Sequence, residues 1–191
     1  MIDGIRRRVE LHEEMVRSLL ADGVVEASAA VAELIVDAYR RDAKVVLFGN
    51  GGSAADAQHV AAEFTGRFLL DRRPLSALAL TENVAALTAI GNDYDYSDVF
   101  ARQLSGVGSA GDVAIGLSTS GSSANVLSAM RRARELGMAT VAVTGARGDE
   151  LAALADHCIR IPSAEAPQIQ EGTMLVLHSI CEAVERALFG G

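Results

Sequence analysis

A histidine and a glutamate, His59 and Glu63, stand four residues apart just after a glycine-rich turn. Four residues make about one helical turn, so both side chains would share one face of a helix that begins near Ser53. The free N–H groups and the positive dipole end of that helix offer an anion site beside the turn. Residues 49–63 therefore predict a phosphate-bearing ligand next to acid/base or metal chemistry.

Two further polar residues, Gln170 and His178, lie in the last apolar stretch, eight residues apart. At about 100° per residue they diverge by roughly 80°, so they point to the same side of a helix. A histidine on an apolar helix is more often a hydrogen-bonded core residue than a ligand, unless it meets partners such as His59 and Glu63. Together the four side chains could bind a divalent metal such as zinc, act as an acid/base pair, or do both.

A second polar loop, residues 118–123, reads Ser-Thr-Ser-Gly-Ser-Ser between an apolar strand and a helix that opens at Ala124. Its hydroxyls and the helix N-terminus can hold a dianionic phosphate without any lysine. The alternative is an ordinary N-cap at Ser122 or Ser123. A cap needs one hydroxyl and the loop has five, so we favour the phosphate site.

Two other chemistries are not expected. The pattern Gly49-x-Gly51-x-x-Ala54 fits a relaxed dinucleotide fingerprint, but the acidic residue wanted at the end of the next strand is missing. Schiff-base chemistry requires a lysine in the pocket. Of the 17 basic residues only Lys44 is a lysine, and it precedes a strand at the edge opposite to the usual ligand edge.

Composition bounds the class of protein. With 191 residues, half of them hydrophobic, we expect a single domain over residues 1–191. The formal charge of −8 argues against a nucleic-acid partner. No apolar run approaches the roughly 20 residues of a membrane span and no signal peptide is evident, so we expect a cytoplasmic protein without a membrane partner. Cys158 and Cys181 fit small buried hydrophobes better than a disulfide or a metal site.

The hydrophobic pattern changes near residue 44. Before it, residues 5–19 and 27–39 have helical periodicity. After it, short apolar strands alternate with helices, which predicts an α/β fold: a three-layer, doubly wound, five-stranded parallel sheet preceded by two N-terminal helices. The predicted strands are 45–48, 75–80, 113–117, 140–143 and 158–161, and the predicted helices are 53–66, 83–90, 97–104, 123–136 and 169–188.

Four ordered segments, residues 49–63, 92–93, 118–123 and 169–171, resemble the phosphoheptose isomerases of the sugar isomerase (SIS) domain superfamily. The likeness runs from the N-terminal helices to Phe189. It implies the flavodoxin-like SIS fold and an aldose-ketose isomerase that converts D-sedoheptulose 7-phosphate to D-glycero-D-manno-heptose 7-phosphate. That reaction is the first step of nucleotide-activated heptose biosynthesis.

The resemblance also implies which residues form the site. The metal positions, for one zinc ion per subunit, match His59, Glu63, Gln170 and His178. The substrate positions match Asn50, Gly51, Gly52, Glu63, Asn92, Asp93, Ser118, Thr119, Ser120, Ser123 and Gln170, with Ser53 a further candidate. The family is typically homotetrameric with pockets at subunit interfaces, and residues 1–42 would be a helical extension that serves oligomerisation.

An enediol mechanism requires two positioned acid/base groups, and our hypothesis assigns these roles to Glu63 and His178. The alternative is a non-catalytic member of the superfamily that senses a sugar phosphate or associates with the replication initiator. By the resemblance, the replication-associated type lacks the equivalents of Glu63 and His178, and this chain has both.

Overall fold

The computed structural model describes residues 1–21 and 23–190. Helices and strands alternate after two N-terminal helices, as predicted. In chain order the elements are α1 (Ile2–Leu19), α2 (Val24–Arg40), β1 (Val45–Gly49), α3 (Gly52–Thr65), β2 (Ala77–Ala79), α4 (Val84–Asp93), a 3-10 turn (Tyr96–Asp98), α5 (Val99–Val107), β3 (Val113–Ser118), α6 (Ala124–Glu135), β4 (Ala139–Gly145), α7 (Asp149–Ala152), β5 (His157–Ile161) and α8 (Ala166–Phe189).

The five strands form one parallel sheet in the order β2-β1-β3-β4-β5. Val45 at the start of β1 pairs with Ala77 on one side and with Val113 on the other. β1 and β3 are buried along their whole lengths, as expected of parallel strands that are covered on both faces. The predicted fold class is confirmed.

Helices cover both faces of the sheet. On one face Leu47 and Ile115 pack in a core with α2, α3 and α8, and α1 contacts α8. On the other face Phe48 and Ala114 pack with α5 and α6. The alternating side chains of one strand therefore serve two cores, which is why the strands read as continuous apolar runs.

The order of the strands reverses at β1. The chain leaves β1 for β2 on one side and returns to β3 on the other, so the carboxyl ends of β1 and β3 are neighbours at the switch point where such sheets bind ligands. At the opposite edge Lys44 Nζ donates to Asp112 Oδ2 over 2.6 Å, and the Asp112 side chain is only 4% exposed.

Some predicted boundaries differ from the structure. β2 has three residues, not six, because the backbone N–H of Leu75 donates to the Phe64 carbonyl of α3 and not to the sheet. A 3-10 turn occupies part of the predicted helix 97–104, where the Asp95 carboxylate accepts from the Ser97 N–H at 2.7 Å. α8 begins at Ala166, three residues early, with proline in its first turn. α7 was not predicted, because one turn is too short to show periodicity.

Within residues 1–21 and 23–190, no helix combines the length and the apolar character needed to cross a membrane.

Candidate active site

The turn after β1 brings backbone very close to its neighbours. Gly51 has φ 57° and ψ −119°, a conformation that residues with a Cβ rarely adopt. A Cβ on Gly49 would lie 2.8 Å from the carbonyl oxygen of Leu117 in β3. A Cβ on Gly52 would lie 2.1 Å from Gln170 Nε2, so the amide of Gln170 in α8 rests directly on the start of α3. The glycines thus let α3 begin between β3 and α8.

The serine loop follows β3 and leads into α6. Ser118 is buried at the end of the strand, and its Oγ lies 3.1 Å from Ser123 Oγ and accepts from the Gly121 N–H at 3.1 Å. Gly121 has φ 68°, and a Cβ there would lie 2.3 Å from Gly148 Cα. Thr119 is half-buried and Ser120 is exposed. The loop therefore presents hydroxyls at the N-terminus of α6, where an anion is favoured.

An amide pair joins the two loops. Asn50 Nδ2 donates to Asn125 Oδ1 at 2.8 Å, and Asn125 Nδ2 donates to Asn50 Oδ1 at 2.9 Å. Tyr96 adds a hydrogen bond from its hydroxyl to Asn50 Oδ1 at 3.2 Å. Because Asn125 is 3% exposed, the pair holds the glycine turn at a fixed position beside the first turn of α6.

Three titratable side chains meet across α3 and α8. His59 Nε2 lies 3.1 Å from Glu63 Oε1 and 3.1 Å from His178 Nε2. The phenyl ring of Phe68 lies against the His178 imidazole, with 5.4 Å between ring centroids. His59 is about half exposed at its side chain (49%) and Glu63 less so (23%), which leaves the cluster open to a ligand.

The cluster fits a metal ion. The ligand atoms of His59, Glu63 and His178 all lie within 4.8 Å of one another. Imidazole nitrogen and carboxylate oxygen are zinc ligands, and two ligands about 2.1 Å from a tetrahedral ion lie roughly 3.4 Å apart. His59 Nε2 carries either one proton or one lone pair, so a single hydrogen bond cannot satisfy both Glu63 Oε1 and His178 Nε2, whereas a cation among the three atoms can.

Other residues of the predicted site lie in the first turn of α3 and at the end of α4. Ser53 is buried in the first turn of α3, and its N–H donates to the Asn50 carbonyl at 3.0 Å. Asn92 and Asp93 end α4, where both are exposed and Asn92 Nδ2 donates to Asp93 Oδ1 at 2.8 Å. Within the described residues, no hydrogen bond joins Asn92 or Asp93 to the His59 cluster.

Sequence reasoning missed one carboxylate close to the cluster. Asp56 stands one turn before His59 in α3, and its Oδ2 is buried without a hydrogen-bond partner among the residues the structure describes. Burial raises the pKa of Asp56, and the neighbouring His59 opposes that rise. The spacing of three residues from His59 was the available signal.

Comparison with known proteins agrees with this fold. A family model described as the SIS domain matches residues 13–145. The phosphoheptose isomerase of Roseiflexus sp. (strain RS-1) is 50% identical over 188 residues, which cover 98% of this chain and 89% of the relative. The solved phosphoheptose isomerase of Neisseria gonorrhoeae matches with a TM-score of 0.91 at 39% identity, covering 96% of this chain and 97% of the other. That of Francisella tularensis matches at 0.93 and 34%, covering 97% and 98%.

The chain belongs to the SIS domain family. Within that family it groups with the phosphoheptose isomerases, as the resemblance predicted, and it is an enzyme of the isomerase class.

Proposed function

We propose that the protein interconverts D-sedoheptulose 7-phosphate and D-glycero-D-manno-heptose 7-phosphate through an enediol or enediolate, as the first step of nucleotide-activated heptose biosynthesis. The observation that carries this proposal is the meeting of His59, Glu63 and His178 beside two loops suited to an anion. The non-catalytic alternative is not favoured, because phosphoheptose isomerases match nearly the whole chain at 50% and 39% identity.

The phosphate of the substrate belongs, in this proposal, in the serine loop. Ser118, Thr119, Ser120 and Ser123 supply hydroxyls there, and the N-terminus of α6 adds backbone N–H groups and its dipole. The sugar then extends toward the turn of Asn50, Gly51, Gly52 and Ser53 and the amide of Gln170, with Asn92 and Asp93 as further contacts.

We also propose one Zn²⁺ per subunit, held by His59, Glu63, Gln170 and His178. Bound there, the ion would supply a Lewis acid that polarises the substrate carbonyl. Gln170 joins the set because its amide rests on Gly52, at the start of the helix that carries His59 and Glu63.

Glu63 and His178 perform the proton transfers. The reaction removes a proton from carbon 1 of the ketose and returns a proton to carbon 2, while the two oxygens exchange one proton, so atoms and charge balance. A residue that ligates a metal tightly is a weaker base. We therefore assign the carbon-bound proton to one of the two residues and the proton exchanged between the oxygens to the other. Single substitutions reveal which residue takes the carbon-bound proton.

The test is a coupled assay with D-sedoheptulose 7-phosphate, together with exchange of the carbon 1 proton in D₂O. We expect Glu63→Gln and His178→Gln each to lower kcat by about 10²- to 10⁴-fold. The variant that also loses exchange in D₂O has lost the base. Chelation should abolish turnover and zinc should restore it.

His157 provides a matched control, because it begins β5 at the edge of the sheet opposite to the site. His157→Gln should leave kcat unchanged. Absence of turnover in folded, zinc-loaded wild-type protein would overturn the proposed reaction, and turnover that ignores chelation would remove the zinc from it.

We further propose that the protein acts in the cytoplasm as a homotetramer. Both cysteines are free, as suits a reducing compartment. Apolar side chains are exposed along one side of the N-terminal helices and α8: Ile5, Val9, Leu20, Val25 and Leu175. A patch of this kind supports burial against a second copy, with residues 1–42 as the helical extension of a domain that spans residues 1–191.

A further inference from the structure

A buried ion pair lies next to the main chain of Glu63, one of the three residues of the His59–Glu63–His178 cluster. Arg72 Nε donates to Glu185 Oε1 at 2.8 Å, and the side chains are 1% and 2% exposed. Arg72 follows α3 in the loop that leads to β2, and Glu185 lies in α8. The pair therefore joins the two helices that carry the three clustered side chains.

The guanidinium of Arg72 also holds the end of α3. Its Nη2 donates to the carbonyl oxygen of Glu63 at 2.8 Å, and its Nη1 donates to that of Phe64 at 2.9 Å. These carbonyls belong to the last turn of the helix, where intrahelical donors run out. Arg72 thus fixes the main chain at the residue whose carboxylate faces His59.

The carboxylate of Glu185 holds the loop in turn. It accepts from the backbone N–H groups of Phe68 at 3.1 Å, Leu69 at 2.7 Å and Leu70 at 2.8 Å. The ring of Phe68 packs on the imidazole of His178, which lies two helical turns before Glu185 in α8. The same carboxylate therefore fixes the main chain of Phe68, whose ring contacts His178.

We propose that Arg72 and Glu185 are positioning residues for catalysis, a buried clamp that fixes Glu63 through its carbonyl and His178 through Phe68. The inference rests on the roles proposed above for Glu63 and His178. The competing explanation is fold stability alone, although a buried ion pair is weak grounds for stability, since apolar replacements often serve as well. Outer partners of metal ligands typically change metal affinity or activity 10- to 100-fold when they are altered.

The test uses Arg72→Lys, which keeps the charge but loses the forked donors to two carbonyls, and Glu185→Gln, which keeps the shape. Each full-length protein is assayed at a temperature where circular dichroism shows it folded. We expect kcat to fall about 10- to 100-fold. KM should change less than about 3-fold, because the serine loop, in which we place the phosphate of the substrate, follows a different strand from the loop that carries Arg72. Competition with a chromophoric chelator should show a 10- to 100-fold loss of Zn²⁺ affinity.

Asp112→Asn is the matched control, since it breaks a partly buried ion pair, with Lys44, at the far edge of the sheet. It should lower the melting temperature and leave kcat and Zn²⁺ affinity unchanged. Suppose that kcat falls in Asp112→Asn and in Arg72→Lys by the same amount for each degree of lost melting temperature. The clamp would then be only structural, and the proposal would be wrong. Wild-type kcat and Zn²⁺ affinity in folded Arg72→Lys would overturn it equally.

Phe68 offers a variant that leaves the ion pair intact. Phe68→Leu should lower kcat about tenfold with little loss of stability, and Phe68→Tyr, which keeps the ring, should restore it. A Phe68→Leu enzyme with wild-type kcat would overturn the link to His178. The Zn²⁺ titration needs no substrate, so a failure of this proposal is distinguishable from a failure of the proposed reaction.

Discussion

The charge of Glu185 should make the stability of the folded protein depend on pH in the acid range. Burial alone would raise the pKa of Glu185, but the N–H groups of residues 68–70 and the Arg72 guanidinium outweigh it and hold the pKa below its ordinary value near 4.5. Since the folded state has the lower pKa, the stabilisation is complete above that ordinary value and is lost as the pH falls through the folded-state pKa.

We therefore expect Glu185→Gln to lower the free energy of unfolding at pH 7 by about 3–5 kcal/mol, because Arg72 stays buried without its partner. Urea unfolding at a series of pH values should show this difference from wild type shrinking below about pH 4.5. Glu182→Gln in the same helix breaks an exposed pair with Arg186 and should cost less than about 0.5 kcal/mol. A difference that stays constant from pH 7 to pH 3 would contradict the linkage.

Local spacing decided which single residues were predictable. His59 and Glu63 could be paired because they are one helical turn apart. Gln170 and His178 could be paired because they point to the same side of α8. The partner of His59 in α8 stands 119 residues away, so spacing could offer their meeting only as a possibility, and the resemblance supplied the expectation that the two share a site. Arg72 and Glu185 are 113 residues apart, and neither lies in a motif. Nothing in the sequence predicts a contact of that kind.

The start of α3 and the side of α8 fit together with almost no room. Gly52→Ala adds a methyl group that must displace the end of the flexible Gln170 side chain. Because alanine is also the better helix former, by up to about 1 kcal/mol, we expect an unchanged or higher melting temperature. Moving the amide should lower kcat/KM by roughly tenfold or more. Calorimetry and the coupled assay measure the two quantities separately.

Gly106 is the corresponding control in α5, where an added Cβ would meet nothing within 4 Å. Gly106→Ala should keep full activity at an equal or higher melting temperature. Wild-type kcat/KM in Gly52→Ala would mean that the close fit of α3 against Gln170 is not required for the reaction.

Elements with strong periodicity were predictable, and short ones were not. β1, β3 and α6 were located to within one or two residues, because continuous apolar runs and a helical repeat mark them. β2 was predicted at twice its length, since Leu75 is apolar but its backbone N–H bonds to α3 and not to the sheet. α7 has four residues and no period to detect.

The exposed apolar side of α1, α2 and α8 should set the size of the assembly. We expect light scattering to give four times the chain mass of 20.0 kDa. Val25→Glu and Leu175→Glu place charges in the groove that these helices line, and each should yield smaller species. We expect this because each glutamate would bury an unpaired charge between subunits, which is costly.

Val107 is an exposed apolar residue at the end of α5, on the other face of the sheet, and serves as the control. Val107→Glu should keep the wild-type mass. A wild-type protein that elutes as a monomer at every concentration would contradict the tetramer.

The ion pair of Lys44 with Asp112 has a chemical consequence for an enzyme that handles reducing sugars. Open-chain aldoses condense with free amines, and glycation of lysine slowly damages proteins that are exposed to them. This chain has a single lysine, and its ammonium group is engaged at 2.6 Å by a buried carboxylate. Guanidinium groups supply the remaining basic side chains. The proposed aldose product would therefore find almost no side-chain amine to modify on the enzyme that releases it.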